Sequence, residues 1–200
     1  MMTKSERTRQ HILEATAMVF NTKGFDSAAL SDLCEATQLT KGALYGHFEN
    51  KEELAVASFH YMMKKVKTLV RAEMKDASTP YEKLLALLHF YAKYVYQPPV
   101  PGGCPLLNTA VQMDDDLSNP LRRLVAKELK QTVQFMADLI EEGQQQGVFK
   151  KSINAMQYAY LFFCAMEGAI MVSRVSPHDE SMQNVVALCE QLLTTIRTNK

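Results

Sequence analysis

Residues 31–54 read SDLCEATQLTKGALYGHFENKEEL, and this stretch decides the fold. Two short pieces, about 31–36 and 41–48, flank a three-residue turn, Thr37-Gln38-Leu39. Asp32 falls in the first turn of the first piece, where a negative charge suits the helix dipole. Thr40 is placed to cap the second piece, and Asn50 to cap a longer helix that begins at Lys51. Leu33, Leu39, Leu44 and Phe48 share a side and predict packing against Phe20 in the preceding helix. The other side of the second piece carries Thr40, Lys41, Gly42, Ala43, Tyr45 and His47. Two short helices at a tight turn, with a helix before and a helix after, form a helix-turn-helix unit (about 29–48), whose second helix enters the major groove of DNA. Gly42 and Ala43 are small enough to let backbone approach base edges. Thr40, Lys41, Tyr45, His47 and the hydroxyls of Ser27 and Ser31 can donate to phosphate oxygens. Lys51 adds a cation at a helix start, where free N–H groups favour phosphate.

On the N-terminal side, Ser5 to Lys23 predicts an amphipathic helix ended by Gly24. Beyond Lys51 the pattern stays helical: 51 to about 75, then 80 to about 97 behind a Thr79 cap with Pro80 at the first position. Further helices are expected at about 105–113, 120–146, 153–175 and 179–197. The only clear irregular loop is Pro98-Pro99-Val100-Pro101-Gly102-Gly103. No strand alternation and no repeat is present, so the fold class is all-α with nine helices. A cut at 50/51 separates a DNA-binding domain, 1–50, from a C-terminal domain, 51–200.

The 200 residues carry 22 Lys plus Arg against 22 Asp plus Glu, with 47% hydrophobic residues. This excludes a disordered chain, a polybasic protein and an acidic tail protein. The four cysteines, at 34, 104, 164 and 189, have no metal-ligand or redox-motif spacing, which points to reduced thiols in a cytoplasm. The first ten residues lack an apolar core for secretion. The most apolar run, YAYLFFCAM at 158–166, is about half of the roughly 20 residues a membrane helix needs, so it is expected to be a buried helix. No metal and no cofactor is expected. Asp114-Asp115-Asp116 is expected to be a solvated helix end, and Lys64, Lys67, Arg71 and Lys75 a solvated helix face.

The stretch Thr8 to Leu54 resembles the DNA-binding domain of TetR-type bacterial regulators. The framework Ile12, Ala17, Phe20, Gly24, Phe25 and the block Lys41-Gly42-Ala43-Leu44-Tyr45-x-His47-Phe48-x-x-Lys51-x-x-Leu54 carry that resemblance. It implies a homodimer that binds a double-stranded DNA operator and is released by a small-molecule inducer bound in the C-terminal domain. Two departures stand out. Gln38 occupies a turn position where many members have Gly, so a left-handed backbone there would cost about 1 kcal/mol. Ala28-Ala29 replaces a Thr-rich approach to the recognition unit.

Charge lends no support to DNA binding. Residues 1–51 hold Lys4, Arg7, Arg9, Lys23, Lys41 and Lys51 against Glu6, Glu14, Asp26, Asp32, Glu35 and Glu49. The C-terminal aromatics and methionines, Phe59, Met63, Tyr91 and Met166 with Asn108, are candidates to line an apolar ligand site. The last two helices are expected to form a four-helix dimer contact through Tyr158, Leu161, Phe162, Ala165 and Ala169 and through Val185, Val186, Leu188, Cys189, Leu192, Leu193 and Ile196. Cys104, where the Gly-Gly loop meets a helix, is a candidate for an electrophile-responsive thiol. The same residue supports the rival reading, an all-α thiol enzyme with His89 as its nearest base. The other three cysteines are expected to be inert core residues.

Overall fold

A computed structural model describes residues 2–113, 115, 118–176 and 180–198. Nine helices are present among them: α1 (Lys4–Lys23), α2 (Leu30–Thr37), α3 (Lys41–Tyr45), α4 (Lys51–Glu73), α5 (Pro80–Tyr94), α6 (Pro105–Met113), α7 (Pro120–Gln145), α8 (Ala155–Val175) and α9 (Ser181–Thr195). The expected Asp114 and Asp116 helix end lies outside the described residues.

Local chemistry sets most starts. Thr3 and Glu6 form a reciprocal capping box on α1, and Thr79 and Glu82 form one on α5 with Pro80 at the first position. Backbone and hydroxyl donors of Ser78 and Thr79 hold the Glu82 carboxyl down at about 2. Asn50 Oδ1 accepts from Glu53 N at 2.8 Å and starts α4. α2 begins one residue earlier than expected, with Ala29 at the cap, and Asp32 supplies the missing bond by accepting from Ala29 N at 3.0 Å. α3 is shorter than expected: Gly46 N closes on Gly42 O and His47 N on Leu44 O, after which the chain turns away. α5 likewise ends at Tyr94, in a turn where Tyr96 N and Gln97 N both bond Lys93 O.

The chain divides into two compact units. One joins Met1–Lys67 to Pro99–Ala126, and the other joins Thr68–Pro98 to Lys127–Lys200. Ile12, Phe20, Leu33, Leu44, Phe48, Leu54 and Phe59 form the core of the first unit, all buried. Phe20 and Phe25 stack with ring centroids 4.9 Å apart.

Polar bonds explain why α6 joins this unit. The Asn21 amide donates to Pro101 O at 2.8 Å and Gly103 O at 3.0 Å. The Asn108 amide donates to Asn21 O and Oδ1, both at 3.1 Å, and to Gly102 O at 2.8 Å. Gln112 Oε1 accepts from Phe25 N at 2.8 Å. Gly102 (φ +106°) lies so close that a Cβ there would stand 2.6 Å from Asn21 O. Gly24 (φ +89°) approaches Gln112 in the same way. The loop 98–103 is thereby clamped onto the end of α1.

In the second unit α5, α8 and α9 pack together, and Phe90, Tyr91 and Tyr94 form an aromatic cluster with centroids 5.6–6.0 Å apart. The turn after α7 bonds the segment after α9 through Lys150 N to Ile196 O and Thr198 N to Val148 O. α8 is 21 residues long, more than the expected apolar run. By length and composition it could cross a membrane, although Glu167 is buried at its centre.

Truncating Asn21 to Ala leaves two buried loop carbonyls without their donor. It is expected to lower the free energy of unfolding by about 1–3 kcal/mol, read by urea denaturation. A change below about 0.5 kcal/mol would show that the clamp is not a structural tie.

Candidate nucleic-acid interface

The turn that joins α2 to α3 is built as its sequence requires. Gln38 adopts the left-handed conformation at φ 56°, ψ 30°, and among the described residues no other non-glycine residue has positive φ. Its side chain helps the turn close by donating to Glu35 O at 2.6 Å. Its backbone N–H bonds the last turn of α2, and Leu39 N bonds Cys34 O. His11 Nε2 meets Thr37 O at 2.9 Å, so α1 also satisfies a free carbonyl at the end of α2. Thr40 then caps α3 by accepting from Ala43 N at 3.2 Å. Leu44 is fully buried, whereas Leu39 is half-buried and plays a smaller part in the core than expected.

This arrangement decides which side chains are free to meet a ligand. Lys41, Gly42 and Ala43 are exposed together, and Thr40 is exposed at their head. Tyr45 and His47 are half-buried. Ser27 is exposed ahead of α2, and Ser31 is exposed in its first turn. Ala28 is buried, so a core methyl fills a position the resemblance leads one to expect as Thr, and Ala29 caps through its backbone. Lys51 is half-buried, and its ammonium donates to Asp26 O at 3.2 Å. That bond fixes the charge at the start of α4 without neutralising it.

The equal charge count conceals an unequal arrangement. Two of the six acids are engaged at helix starts: Glu6 with Thr3 N, and Asp32 with Ala29 N and with Lys23 at 2.8 Å. The Thr3 backbone bond lowers the Glu6 carboxyl, and the Lys23 bond lowers that of Asp32. Lys23 is the one cation of residues 1–51 held by a carboxylate among the described residues. Lys41 stands exposed on the recognition helix, and the Arg9 guanidinium lies over the Phe48 ring at 4.5 Å to the centroid. Residues 1–51 are neutral in sum, and the one charged side chain of α3, Lys41, is exposed.

The expected ligand residues fall into different units. Phe59, Met63, Cys104 and Asn108 lie in the first, and Tyr91 and Met166 in the second. Asn108 serves the clamp on α1. Cys104 is at the N-terminal edge of α6 as expected, with its C=O accepting from Asn108 N, but it is only 5% exposed. The glycines beside it are held by Asn21. Cys164 is exposed, which corrects its assignment to the core, and Cys34 is half-buried. Cys189 is buried, and desolvation raises its thiol to about 11. Tyr91 and Met166 line a cavity of about 10 Å³ with Leu84, Leu87, Leu88, Met136 and Phe162. His89, the base in the enzyme reading, is bonded to Glu190 at 2.7 Å. No cluster of three metal-ligating side chains occurs among the described residues.

A family model described as bacterial regulatory proteins, tetR family, matches residues 12–57, and another described as tetracyclin repressor-like, C-terminal domain, matches residues 80–189. A TetR-family transcriptional regulator from Cytophaga hutchinsonii is 35% identical with a TM-score of 0.90, over 100% of both chains. A TetR transcriptional regulator from Chloroflexus aurantiacus is 31% identical with a TM-score of 0.93, over 99% of this chain and 100% of that one. Among curated proteins, the HTH-type transcriptional repressor DhaR of a Mycobacterium strain is 24% identical over 92% of this chain and 91% of its own. The rival enzyme reading gains no support from these likenesses.

Gly42 tests the reading of α3. A Cβ built there meets no atom within 4 Å, and its φ is not positive. Nothing inside the chain requires glycine, although alanine is the better helix former by about 1 kcal/mol. Gly42→Ala is therefore expected to melt at the same temperature or higher while its affinity for specific DNA falls roughly tenfold or more, about 1.4 kcal/mol. Unchanged affinity in fluorescence anisotropy would remove Gly42 from the contact surface.

Proposed function

The chain belongs to the TetR family of bacterial regulatory proteins, and we infer from this that it is a DNA-binding transcriptional repressor whose α3 reads an operator and whose C-terminal helices answer to a small molecule. The observation that carries the reading is the exposed Lys41-Gly42-Ala43 face on a helix whose other side is sealed by Leu44. Lys41, Gly42 and Ala43 approach bases. Ser27, Ser31, Thr40, Tyr45, His47 and Lys51 contact phosphates and set the register. Acting on DNA, the protein works in the cytoplasm. In functional terms residues 1–50 supply the DNA contacts and residues 51–200 the ligand response and the dimer.

The homodimer reading rests on the outer face of α8 and α9. Leu161 is 46% exposed, Val175 80% and Leu188 56%, and Tyr160, Met171 and Val172 are exposed with them. Apolar side chains in such a row favour burial against a second copy. Gly168 lies amid them, and a Cβ there would meet nothing within 4 Å, which suits a close helix crossing. Of the side chains expected at this contact, Phe162, Ala169, Cys189, Leu193 and Ile196 are buried within the chain itself, so they support the face from beneath.

Ligand capture is read onto the apolar cavity that Tyr91 and Met166 line, with an apolar or aromatic molecule as occupant. Sites for such molecules typically measure about 300–1,000 Å³. Binding here has to spread the surrounding helices, and a ligand that favours the spread state over the DNA-binding state acts as an inducer. Phe59, Met63 and Asn108 are secondary candidates in the first unit. A reactive ligand would meet Cys104 only after its buried side chain is uncovered.

Two measurements test this. Selection from a random duplex pool is expected to return a near-palindrome with half-site centres about 34 Å apart or a little more; no enriched sequence would oppose a repressor. Sedimentation at micromolar concentration is expected to give a dimer for the wild type and a monomer for Leu161→Arg. A monomeric wild type would contradict the α8–α9 contact.

A further inference from the structure

Arg9 has no place in the helix-turn-helix pattern, yet its geometry is the most specific of any cation near α3. It is exposed, as Lys4 and Arg7 on the same helix are, but it lies on the side of α1 that continues into Ile12, Leu13 and Thr16, all buried. A charged residue at the head of a buried stripe needs a partner or an outlet. Arg9 has the Phe48 ring, with its guanidinium carbon 4.5 Å from the centroid. Phe48 is itself buried, so the guanidinium covers its outer face while remaining exposed. Among the described residues no carboxylate lies within ion-pair distance of Arg9. A guanidinium stacked in this way keeps its five in-plane N–H donors free at the edge.

The position of that stack matters more than its existence. α3 has five residues, so it is about 7.5 Å long at ~1.5 Å per residue, less than the roughly 12 Å width of the major groove. A helix that short, lying in the groove, brings the chain beyond each of its ends to the phosphate walls. Thr40 stands at the first end. Phe48 lies past the other, in the loop between α3 and α4, three residues before Lys51. Arg9 thus brings to the second end a charge that belongs to α1 in sequence.

We propose that Arg9, held flat against Phe48, is a DNA-contact residue that donates to a backbone phosphate flanking the recognition helix. The proposal rests on the DNA-binding reading above and adds a contact from outside the helix-turn-helix unit. A phosphate contact carries no base information, so Arg9 strengthens binding to operator and random duplex alike. Lysine is not its equivalent, because an ammonium lacks the planar face that fixes the side chain on the ring.

The test is a salt titration of duplex affinity, with the selected operator and a random duplex of equal length, on the wild type, Arg9→Met and Arg9→Lys. Met keeps apolar packing on Phe48 and removes the charge; cooperative melting of both variants establishes that they fold. For Arg9→Met the slope of log affinity against log salt is expected to be shallower by about 0.9 on both duplexes, the value for one lost phosphate contact. Arg9→Lys is expected to keep most of the slope while binding more weakly than wild type. A merely structural Arg9 would lower the melting temperature of Arg9→Met and leave its slope unchanged, and that result overturns the proposal alone. A wild type that binds neither duplex overturns the DNA reading and this contact with it. Should Arg9→Met fail to fold, a slope in Arg9→Lys equal to wild type together with undiminished affinity overturns the special role of the stacked guanidinium.

Discussion

A five-residue helix cannot sustain itself in water, because nucleation costs more than so few bonds return. α3 exists because Leu44 is buried beneath it, Thr40 caps its first turn and Gln38 accepts a left-handed backbone to deliver it there. The rest of the first unit serves that requirement. Phe20, Leu33 and Phe48 build the floor, His11 ties the end of α2, and Asn50 restarts the chain as α4. Once Leu44 fixes the rotation of α3, the exposure of Lys41, Gly42 and Ala43 follows without further design.

The same constraint bears on how a stretch with balanced charge presents Lys41 outward on α3. Free N–H groups at helix starts attract carboxylates, and Glu6 and Asp32 are held there. The cations around α3 are fixed by other means. Lys51 is held by a carbonyl and Arg9 by an aromatic ring, and neither neutralises them. Composition reports the sum of charges, and a DNA surface depends on their direction.

Short-range chemistry made the helix-turn-helix unit legible in the sequence. The caps Thr40, Asn50 and Thr79-Pro80 and the conformation of Gln38 each depend on neighbours within four residues. The end of α3 was less legible, because Phe48 keeps helical spacing with Leu44 although the backbone has already turned at Gly46. The clamp of Asn21 on Pro101, Gly103 and Asn108 joins positions about 80 residues apart, and no local pattern encodes it. It is also what gathers α6 with α1. On α8 apolar spacing runs nearly all round and α9 has a broad apolar face, so the sequence does not separate the inward Phe162 and Leu193 from the outward Leu161 and Leu188. Residue type alone marks the candidate ligand residues, and they fall in both compact units.

The central claim is that the exposed face of α3 lies in the major groove. Methylation protection of guanine N7, an atom displayed only in that groove, tests it most directly on the selected operator. The account predicts two protected clusters, one in each half-site and about one helical turn apart between centres, which fade when Gly42 is replaced by Ala. Protein bound at full occupancy with every guanine N7 still reactive would contradict it.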